Sequence, residues 1–349
     1  MTAPLLEARH VTKVFGGGLF DRQRVVALED FSLVLRDDPP AFTAVVGESG
    51  SGKTTLARLL LGVIGPTQGQ VLYRGKDLRA LSRAEWRTFR REVQAIFQDP
   101  YEVYNPFYKV DHVLETPIAK FGLARTRAEA RALIEEALQA VGLRPEETLG
   151  RYPHQLSGGQ RQRVMVARAL LLKPRLIIAD EPVSMVDASL RATILESLRA
   201  LHQQYHIAFL YITHDLTTAY QVCQDIIVLY RGRVVEVGEV EPVVQTPEHP
   251  YTRLLIDSIP LPDPDRPWRA AGEPAPLARQ ADPLKGCRFA DRCPFTHAPC
   301  LASPPPLYQT HPRRAVACYL YQQAPVLPPE QVGAVLANGP VAGPPPAAG

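Results

Sequence analysis

A glycine-rich segment places the strongest constraint on what this chain can fold into. Residues Gly47–Thr54 match the pattern of a glycine, four variable residues and then Gly-Lys-Ser/Thr, which is typical of phosphate-binding loops. The β-branched run Phe42–Val46 comes before it, and a helix is expected to begin near Lys53. Such a loop presents backbone N–H groups and the positive end of a helix dipole to an anion. The sequence therefore predicts an α/β fold with a phosphate site.

The side chains of this loop have separate expected roles. Lys53 should neutralise the β- and γ-phosphates of a nucleotide, and the Thr54 hydroxyl should ligate Mg²⁺. A glycine-rich turn without a ligand is the alternative, and the complete pattern in its strand–helix context disfavours it. The other residues of this segment that are predicted to contact the nucleotide are Gly47, Ser49, Gly50, Ser51, Gly52 and Thr55.

A second apolar run ends in two adjacent acids. Leu176–Ala179 is followed by Asp180 and Glu181. Carboxylates at a buried strand end are costly unless a cation or a catalytic task compensates. We expect Asp180 to hold Mg²⁺ through its water shell and Glu181 to polarise the attacking water as general base. His214, at the end of a further predicted strand, would face the γ-phosphate.

Strand-like and helix-like runs alternate through the first two thirds of the chain, which predicts a largely parallel sheet flanked by helices. Apolar residues between Ala130 and Val141 recur with helical spacing and predict an amphipathic helix. Ile226–Tyr230 and Arg233–Gly238 predict a hairpin that closes the first domain.

Bulk composition limits the function classes. The chain has 39 Lys and Arg against 36 Asp and Glu, and a net charge of +3 disfavours a nucleic-acid-binding protein. Apolar runs are far shorter than the roughly 18 residues that a membrane span needs. Charges interrupt the N-terminus where a signal peptide would need an apolar stretch. We therefore expect a cytosolic protein.

The last quarter of the chain is rich in proline and contains four of the five cysteines. Cys287, Cys293, Cys300 and Cys318 are separated by five, six and seventeen residues. In a cytosolic protein thiols stay reduced, so metal or cluster binding is favoured over disulfides. The spacing alone does not decide between Zn²⁺ and an iron–sulfur cluster, because the close cysteine pairs of zinc sites are missing.

A second glycine turn completes a known set of motifs. Ser157, Gly158, Gly159 and Gln160 form a Ser-Gly-Gly turn that would open a helix and bind an anion, although the chain has only one phosphate-binding loop. The simplest explanation is that this turn serves a nucleotide held by another subunit. Together with the earlier segments it resembles the signature of the ABC ATPase family.

The ABC resemblance spans about residues 5–245 and implies further roles. Two such domains pack head to tail in this family, and each ATP lies between one phosphate-binding loop and the opposite signature. Gln98 resembles the glutamine that senses the γ-phosphate and ligates Mg²⁺, and Asp187 resembles the aspartate of the D-loop. His214 resembles the switch histidine, and Phe15 resembles the aromatic residue that stacks on adenine.

A narrower resemblance joins the chain to the oligopeptide/dipeptide importer subfamily. It rests on Gln98–Pro106, on the Gly47–Gly52 loop, on Thr246–Leu255 with its His-Pro-Tyr sequence, and on the cysteine motif. It implies an ABC nucleotide-binding domain over residues 1–245, with a helical subdomain at about 99–160 that contacts the permease. A C-terminal extension would follow at 246–325. The final stretch, 326–349, consists largely of Pro, Ala and Gly with almost no charge, and this composition predicts a flexible tail.

The resemblance implies a chain that converts ATP and water to ADP and phosphate and so powers peptide import. Its expected partners are a second, different ABC ATPase subunit, two transmembrane permease subunits and an extracytoplasmic binding protein, and its expected place is the cytoplasmic face of the cell membrane. The four cysteines would hold a [4Fe–4S] cluster, with Zn²⁺ and free thiols as alternatives. Nickel or short-sugar import, a soluble ABC ATPase acting on ribosomes or DNA, and a cluster-based redox sensor are the alternative functions.

Overall fold

Strands and helices alternate over the residues that the computed structural model describes, which are 3–16, 24–99, 104–259, 275–282 and 285–336. The strands are β1 (Leu6–Phe15), β2 (Val25–Leu35), β3 (Phe42–Val46), β4 (Gln68–Tyr73), β5 (Lys76–Asp77), β6 (Val93–Ile96), β7 (Leu176–Asp180), β8 (Ala208–Thr213), β9 (Asp225–Tyr230), β10 (Arg233–Glu239), β11 (Leu307–His311), β12 (Arg314–Val316) and β13 (Val326–Leu327).

The α-helices are α1 (Lys53–Leu60), α2 (Arg83–Glu92), α3 (Val110–Phe121), α4 (Arg127–Ala140), α5 (Pro145–Thr148), α6 (Gly158–Leu170), α7 (Ala188–Tyr205), α8 (Leu216–Val222), α9 (Val240–Gln245), α10 (Pro250–Asp257) and α11 (Ala298–Ala302). The chain divides into two units. The first contains Met1–Ala80 and Thr213–Gly349, and the second contains Leu81–Ile212.

The first unit contains more antiparallel pairing than the sequence predicts. Strands β2, β1, β4 and β5 form an antiparallel sheet in that order. Strand β3 pairs in parallel with β9, whereas β10 pairs antiparallel with β9. Only nine residues connect β1 to β2. A connection that short suits an antiparallel pair, because a parallel pair needs a crossover of a dozen or more residues.

The hairpin that the sequence predicts is confirmed. Strands β9 and β10 pair antiparallel from Tyr230 and Arg233 outward, with a register shift between Val234 and Glu236. The two turn residues, Arg231 and Gly232, have φ values of 42° and 81°. Positive φ at both central residues is the geometry of a turn whose twist matches its strands.

The C-terminal extension continues the pairing of the first unit. Strand β12 pairs with β10, β11 pairs with β12, and β13 pairs with β11. Glu236 of β10 is fully buried and pairs with Arg314 of β12 at 2.5 Å. Glu236 also accepts the backbone N–H groups of Glu248 and His249 at 3.0 Å each. A buried charge is stable only with such partners, so this pair anchors the extension.

The expected flexible tail differs from the structure over residues 326–336. Val326–Leu327 forms β13, and a short 3₁₀ helix follows at Pro329–Ala334. Val332, Val335 and Leu336 are buried, because this helix packs on β2. The proline- and alanine-rich composition predicts disorder, but these apolar residues pack on β2. The remainder of the expected tail, 337–349, lies outside the described residues.

In the second unit β6, β7 and β8 form a parallel sheet, and α3 and α4 pack against α6. The predicted amphipathic helix is α4, whose apolar face buries Ile134 and Leu138. Thr126 caps its N-terminus reciprocally with Glu129. Among the helices described in either unit, none has the length and apolarity that a membrane crossing requires.

Candidate functional site

The predicted phosphate loop has the strand–loop–helix form in the first unit. All five residues of β3 are buried, and α1 begins at Lys53 after Gly52. The Lys53 side chain is itself buried and donates from Nζ to the carbonyl oxygens of Gly47 at 2.7 Å and Glu48 at 3.0 Å. The loop thus holds the ammonium group at its centre, where a phosphate would replace carbonyl contacts with stronger ionic ones.

Two glycines of the loop are required by their surroundings. A Cβ at Gly47 would lie 2.1 Å from the carbonyl oxygen of Leu229, and one at Gly52 would lie 2.3 Å from that of Ala27. Gly52 also has a φ of 107°, which side chains rarely adopt. The loop fits a phosphate for two reasons. Gly47 and Gly52 leave no room for side chains, and the buried Ser51 hydroxyl has no hydrogen-bond partner among the described residues.

The other loop residues and the predicted adenine contact are accessible. Ser49, Gly50 and Thr54 are exposed, and Thr55 is half-buried. Phe15, the last residue of β1, is 42% exposed and has the Lys13 ammonium group 5.2 Å from its ring centroid. Phe15 is therefore not a core residue, and its ring is available for stacking.

The acidic strand end in the second unit combines burial with an unusual backbone. Asp180 closes β7 and is 6% exposed. Glu181 follows with a φ of 48°, in the left-handed region. Its N–H donates to Ile212 and its carbonyl accepts from both the N–H and the hydroxyl of Ser184. Such strain persists where several bonds impose it, which is common at functional residues.

The predicted glutamine and histidine also follow strands. Gln98 is exposed two residues after β6, and His214 is exposed directly after β8. Because β6, β7 and β8 are parallel, their carboxyl ends lie at one edge of that sheet.

The predicted signature opens α6 in the second unit. The Ser157 hydroxyl accepts the Gln160 N–H at 3.2 Å, and the Gln160 side chain accepts the Ser157 N–H at 2.9 Å. Gly159 is buried, and a Cβ there would lie 3.1 Å from Leu190. Gly158 is half-buried, Ser157 is exposed, and Asp187 is exposed at the start of α7. The turn is therefore built as a helix N-terminus that faces outward.

The four C-terminal cysteines converge on one small cavity of the first unit. Cys287, Cys293, Cys300 and Cys318 all line it, and the Cys287 N–H donates to the Cys300 carbonyl at 2.8 Å. Burial raises the pKa of the Cys287 thiol to about 11 and that of Cys318 to about 12. In the metal-free protein these thiols are therefore protonated at neutral pH, and a metal would have to displace their protons.

The cysteines fit a thiophilic metal or cluster by donor type, but their side chains are not arranged in space to hold one. No group of three or more His, Cys, Asp or Glu side chains is arranged to hold a metal ion in the described part of the chain. The cavity between the thiols has a volume of about 10 Å³. The donor set suits iron or zinc, but the segment would have to move outward to admit a cluster.

Two contacts on the phosphate loop were not predicted. Tyr251 of α10 accepts the Glu48 N–H at 2.8 Å, and Arg292 pairs with the Glu48 carboxylate at 3.0 Å. The signals were present, because Tyr251 ends the His-Pro-Tyr motif and Arg292 precedes Cys293. Neither signal indicates where in the fold the side chain lies.

Comparisons with known proteins agree with this geometry. Residues 30–184 match the family model described as ABC transporter, and residues 235–300 match the model described as oligopeptide/dipeptide transporter, C-terminal region. The putative oligopeptide transport ATP-binding protein YkfD of Bacillus subtilis is 40% identical over 327 residues, which cover 92% of this chain and 97% of YkfD. The di/tripeptide transport ATP-binding protein DppF of Pseudomonas aeruginosa is 39% identical, with coverage of 91% and 98%.

A solved structure supports the same assignment. The dimeric post-hydrolysis state of the ATP-binding cassette MJ0796, bound to ADP and Pi, has a TM-score of 0.59 and 29% identity, and covers 68% of this chain and 99% of that one. Because relatives of this similarity extend over nearly the whole chain, the protein belongs to the ATP-binding proteins of the ABC transporter family, in the group with an oligopeptide/dipeptide transporter C-terminal region.

Proposed function

We propose that this protein is the ATP-hydrolysing subunit of a peptide importer. The observation that carries the proposal is the phosphate loop, in which a buried strand, two sterically required glycines and the buried Lys53 form a site for a nucleotide phosphate. The names of two relatives support the cargo class, because YkfD is called an oligopeptide and DppF a di/tripeptide transport ATP-binding protein.

In this proposal each predicted residue has a defined task. Gly47, Ser49, Gly50, Ser51, Gly52, Lys53 and Thr55 bind the phosphates, and Phe15 stacks on adenine. Thr54, Asp180 and Gln98 hold Mg²⁺, which neutralises charge that develops on the phosphates. Glu181 accepts a proton from the attacking water, while His214 and Gln98 orient the reacting groups.

The outward-facing signature supports a head-to-tail dimer. Ser157, Gly158, Gly159 and Gln160 would bind the γ-phosphate held by a partner ATPase, and Asp187 would contact that partner near its nucleotide. A helix N-terminus with exposed donors is suited to an anion brought by another molecule. The partner is proposed to be a second, different ABC ATPase.

The remaining partners follow from the importer assignment. Two permease subunits would bind this chain at the cytoplasmic face of the cell membrane, and an extracytoplasmic protein would deliver peptide. The match to a transporter C-terminal region favours this role over ribosome or DNA remodelling. The peptide-related names favour peptides over nickel or short sugars.

We also propose that the four cysteines hold an iron–sulfur cluster. Four thiols from one segment converge on a single cavity, which supports a shared ligand. Four thiolates can hold either a [4Fe–4S] cluster or one Zn²⁺ ion, and the resemblance of this cysteine motif to that of peptide importers favours the cluster. Iron, acid-labile sulfide and zinc analysis of protein purified without oxygen tests this. Four irons that are lost with Cys293→Ser support the cluster, one zinc supports a structural clip, and no metal contradicts both.

The catalytic proposal is tested with Glu181→Gln. This change keeps the shape of the side chain and removes its basicity, so we expect retained ATP binding and at least a hundredfold loss of turnover. Binding of a fluorescent ATP analogue is measured on the full chain with Mg²⁺, and phosphate release is measured on the full chain assembled with its partner ATPase. Glu196→Gln, an exposed position on α7, serves as control. Unchanged hydrolysis in Glu181→Gln would remove Glu181 as the base.

The cargo proposal is tested by uptake. Cells that lack this chain should lose uptake of labelled di- to oligopeptides and regain it with the natural chain but not with Lys53→Ala. Normal peptide uptake together with lost nickel or sugar uptake would assign the ATPase to another cargo.

A further inference from the structure

The loop that binds phosphate is fastened from outside at Glu48. The Glu48 N–H donates to the Tyr251 hydroxyl at 2.8 Å. Its carbonyl accepts from Lys53 at 3.0 Å and from the Ser51 N–H at 3.1 Å. Its carboxylate receives Nη1 of Arg292 on both oxygens, at 3.2 and 3.0 Å, and Nη2 at 3.2 Å. The backbone and side chain of one loop residue are thus held by two residues from beyond position 245.

Tyr251 is rigidly placed for this contact. It is fully buried at the start of α10, and its N–H donates to His249 at 3.0 Å. Its ring lies 4.3 Å from that of Tyr230 and 5.6 Å from that of Phe289, measured between centroids. Burial raises the pKa of the Tyr251 hydroxyl far above its usual range, so the group stays neutral. A hydroxyl held in this way fixes the position of the Glu48 backbone N–H that it accepts.

Arg292 reaches the same residue from the cysteine segment. Its guanidinium group lies 5.5 Å from the Phe289 ring centroid and 5.9 Å from that of Tyr230, while its fork faces Glu48. Both side chains of the pair are 39% exposed, so solvent screens their charges and the ionic attraction contributes little. The geometry of the contact is therefore its more important property. Bidentate pairing restricts the orientation of a carboxylate, which an exposed single contact does not.

Other bonds hold the segment that carries Arg292 close to the loop. Arg231 donates to the Arg288 carbonyl at 3.1 Å and pairs with Asp291 at 2.9 Å. The neighbouring Gly232 N–H donates to the Ser51 carbonyl at 2.9 Å. The β9–β10 turn therefore contacts both the phosphate loop and the cysteine segment. The contacts at Glu48 are thus supported by further hydrogen bonds between the same two segments.

We infer that Tyr251 and Arg292 are positioning residues for ATP: through Glu48 they hold the phosphate loop in its binding conformation, so that the C-terminal extension sets the affinity for nucleotide. This inference rests on the proposed function, because it assigns two further residues to the same site. A loop held in its bound shape binds its ligand without the entropic cost of ordering. The loop contacts phosphates before and during reaction alike, so loosening it raises KM and leaves kcat nearly unchanged.

The test measures the Kd of mant-ATP with Mg²⁺ on the full chain, and KM and kcat for ATP on the full chain assembled with its partner ATPase. Tyr251→Phe removes one hydroxyl and keeps the ring, and we expect Kd and KM to rise about tenfold, the equivalent of one lost hydrogen bond. Arg292→Gln should raise both about threefold, since exposed pairs contribute less, and Arg292→Lys should restore part of the loss. In every variant kcat should stay within about twofold of the natural value.

Two controls separate positioning from stability. Tyr321→Phe removes a hydroxyl of the same extension that contacts Glu248. Arg313→Gln removes an arginine of similar exposure, 41%, which pairs with Asp225 and Glu239 instead of the loop. Both controls should keep the natural Kd even where thermal scanning shows a lower Tm. The double variant Glu48→Gln/Arg292→Gln should have the same Kd as whichever of its two single variants binds mant-ATP less tightly, because both substitutions remove the same contact.

The outcomes are distinct. Natural Kd values in both Tyr251→Phe and Arg292→Gln, or equal weakening in the controls, would overturn the inference. If Tyr251→Phe does not fold, Arg292→Gln and the double variant decide it. A natural chain that does not bind mant-ATP would contradict the proposed function itself.

Discussion

At the scale of single residues, burial determines which side chains can change charge. His249 is 1% exposed and caps α10 by accepting the Tyr251 N–H. Burial lowers the pKa of His249 to about 3, and contact with the backbone of Ala317 opposes this only in part. The neutral form is therefore built into the segment that carries Tyr251.

This depressed pKa predicts acid sensitivity. In the unfolded chain His249 takes up a proton near pH 6.5, whereas the folded chain resists protonation down to about pH 3. Its contribution to stability is complete above about pH 6.5 and falls by up to about 1.4 kcal/mol per pH unit below it. Urea unfolding between pH 7.5 and 5 measures this slope.

The matched comparison uses two histidine variants. His249→Gln should show a shallower dependence of unfolding free energy on pH, by about one proton. His154→Gln changes an exposed histidine and should keep the natural slope. Equal slopes in all three proteins would exclude His249 as the source.

At the scale of elements, the phosphate loop shows how a local motif depends on neighbours that are distant in sequence. Its glycine pattern is contiguous, yet the reason for Gly52 is the carbonyl of Ala27 from β2. Likewise, Gly47 is required by Leu229 of β9. These two glycines of the motif are therefore required because β2 and β9 pack closely against the loop that follows β3.

Gly52→Ala tests this packing. The new Cβ would lie 2.3 Å from a backbone oxygen at a φ of 107°, so we expect loss of ATP binding and destabilisation by several kcal/mol. Gly75→Ala is the control, because Gly75 also has positive φ, 81°, but nothing lies within 4 Å of its Cβ position. It should cost only about 1–2 kcal/mol and leave ATP binding unchanged. Equal Tm values for the two variants would contradict the steric argument.

At the scale of the whole molecule, the C-terminal third is integrated with the nucleotide-binding part of the first unit. The tail covers β2 with Val332 and Val335, and the buried Glu236–Arg314 pair joins the extension to β10. Removing either is expected to affect the phosphate loop indirectly, because all of these elements belong to the same unit.

Truncation tests the role of the tail. Deleting residues 326–349 removes Leu327, Val332, Val335 and Leu336, which are the buried apolar side chains of this segment within the described range 326–336. Each fully buried aliphatic side chain contributes at most about 1.5–3 kcal/mol, so a clear drop in Tm is expected. Deleting only 337–349 removes none of these four and should change Tm little. The same Tm for both truncations would show that the packing on β2 contributes nothing.

The signature predicts an effect across subunits. Ser157→Arg should block ATP turnover completely in a homodimer, because each site would lack its opposite signature. In a dimer with a different ATPase it should impair only the site that uses this signature. Phosphate release by the purified assembly, with Ser189→Arg as an exposed control, distinguishes these cases. Full activity of Ser157→Arg in either assembly would contradict the trans arrangement.

Sequence alone determined the features that are encoded within a few consecutive residues. The phosphate loop, strands β3, β7 and β8, helix α4 and the β9–β10 hairpin were all predicted, because periodicity, glycine positions and turn chemistry act locally. The adjacent acids and the signature turn were likewise found from short patterns. The antiparallel sheet of β1, β2, β4 and β5 was not predicted, since strand pairing depends on partners elsewhere in the chain.

Tertiary structure alone decided which distant residues meet. Tyr251 and Arg292 reach Glu48 across 203 and 244 residues of sequence, and the four cysteines come together only through the folded extension. The tail from Val326 to Leu336 has a composition typical of disorder, yet it is packed on β2. Such contacts depend on the shape and charge of surfaces formed by the whole fold, and no short segment carries that information.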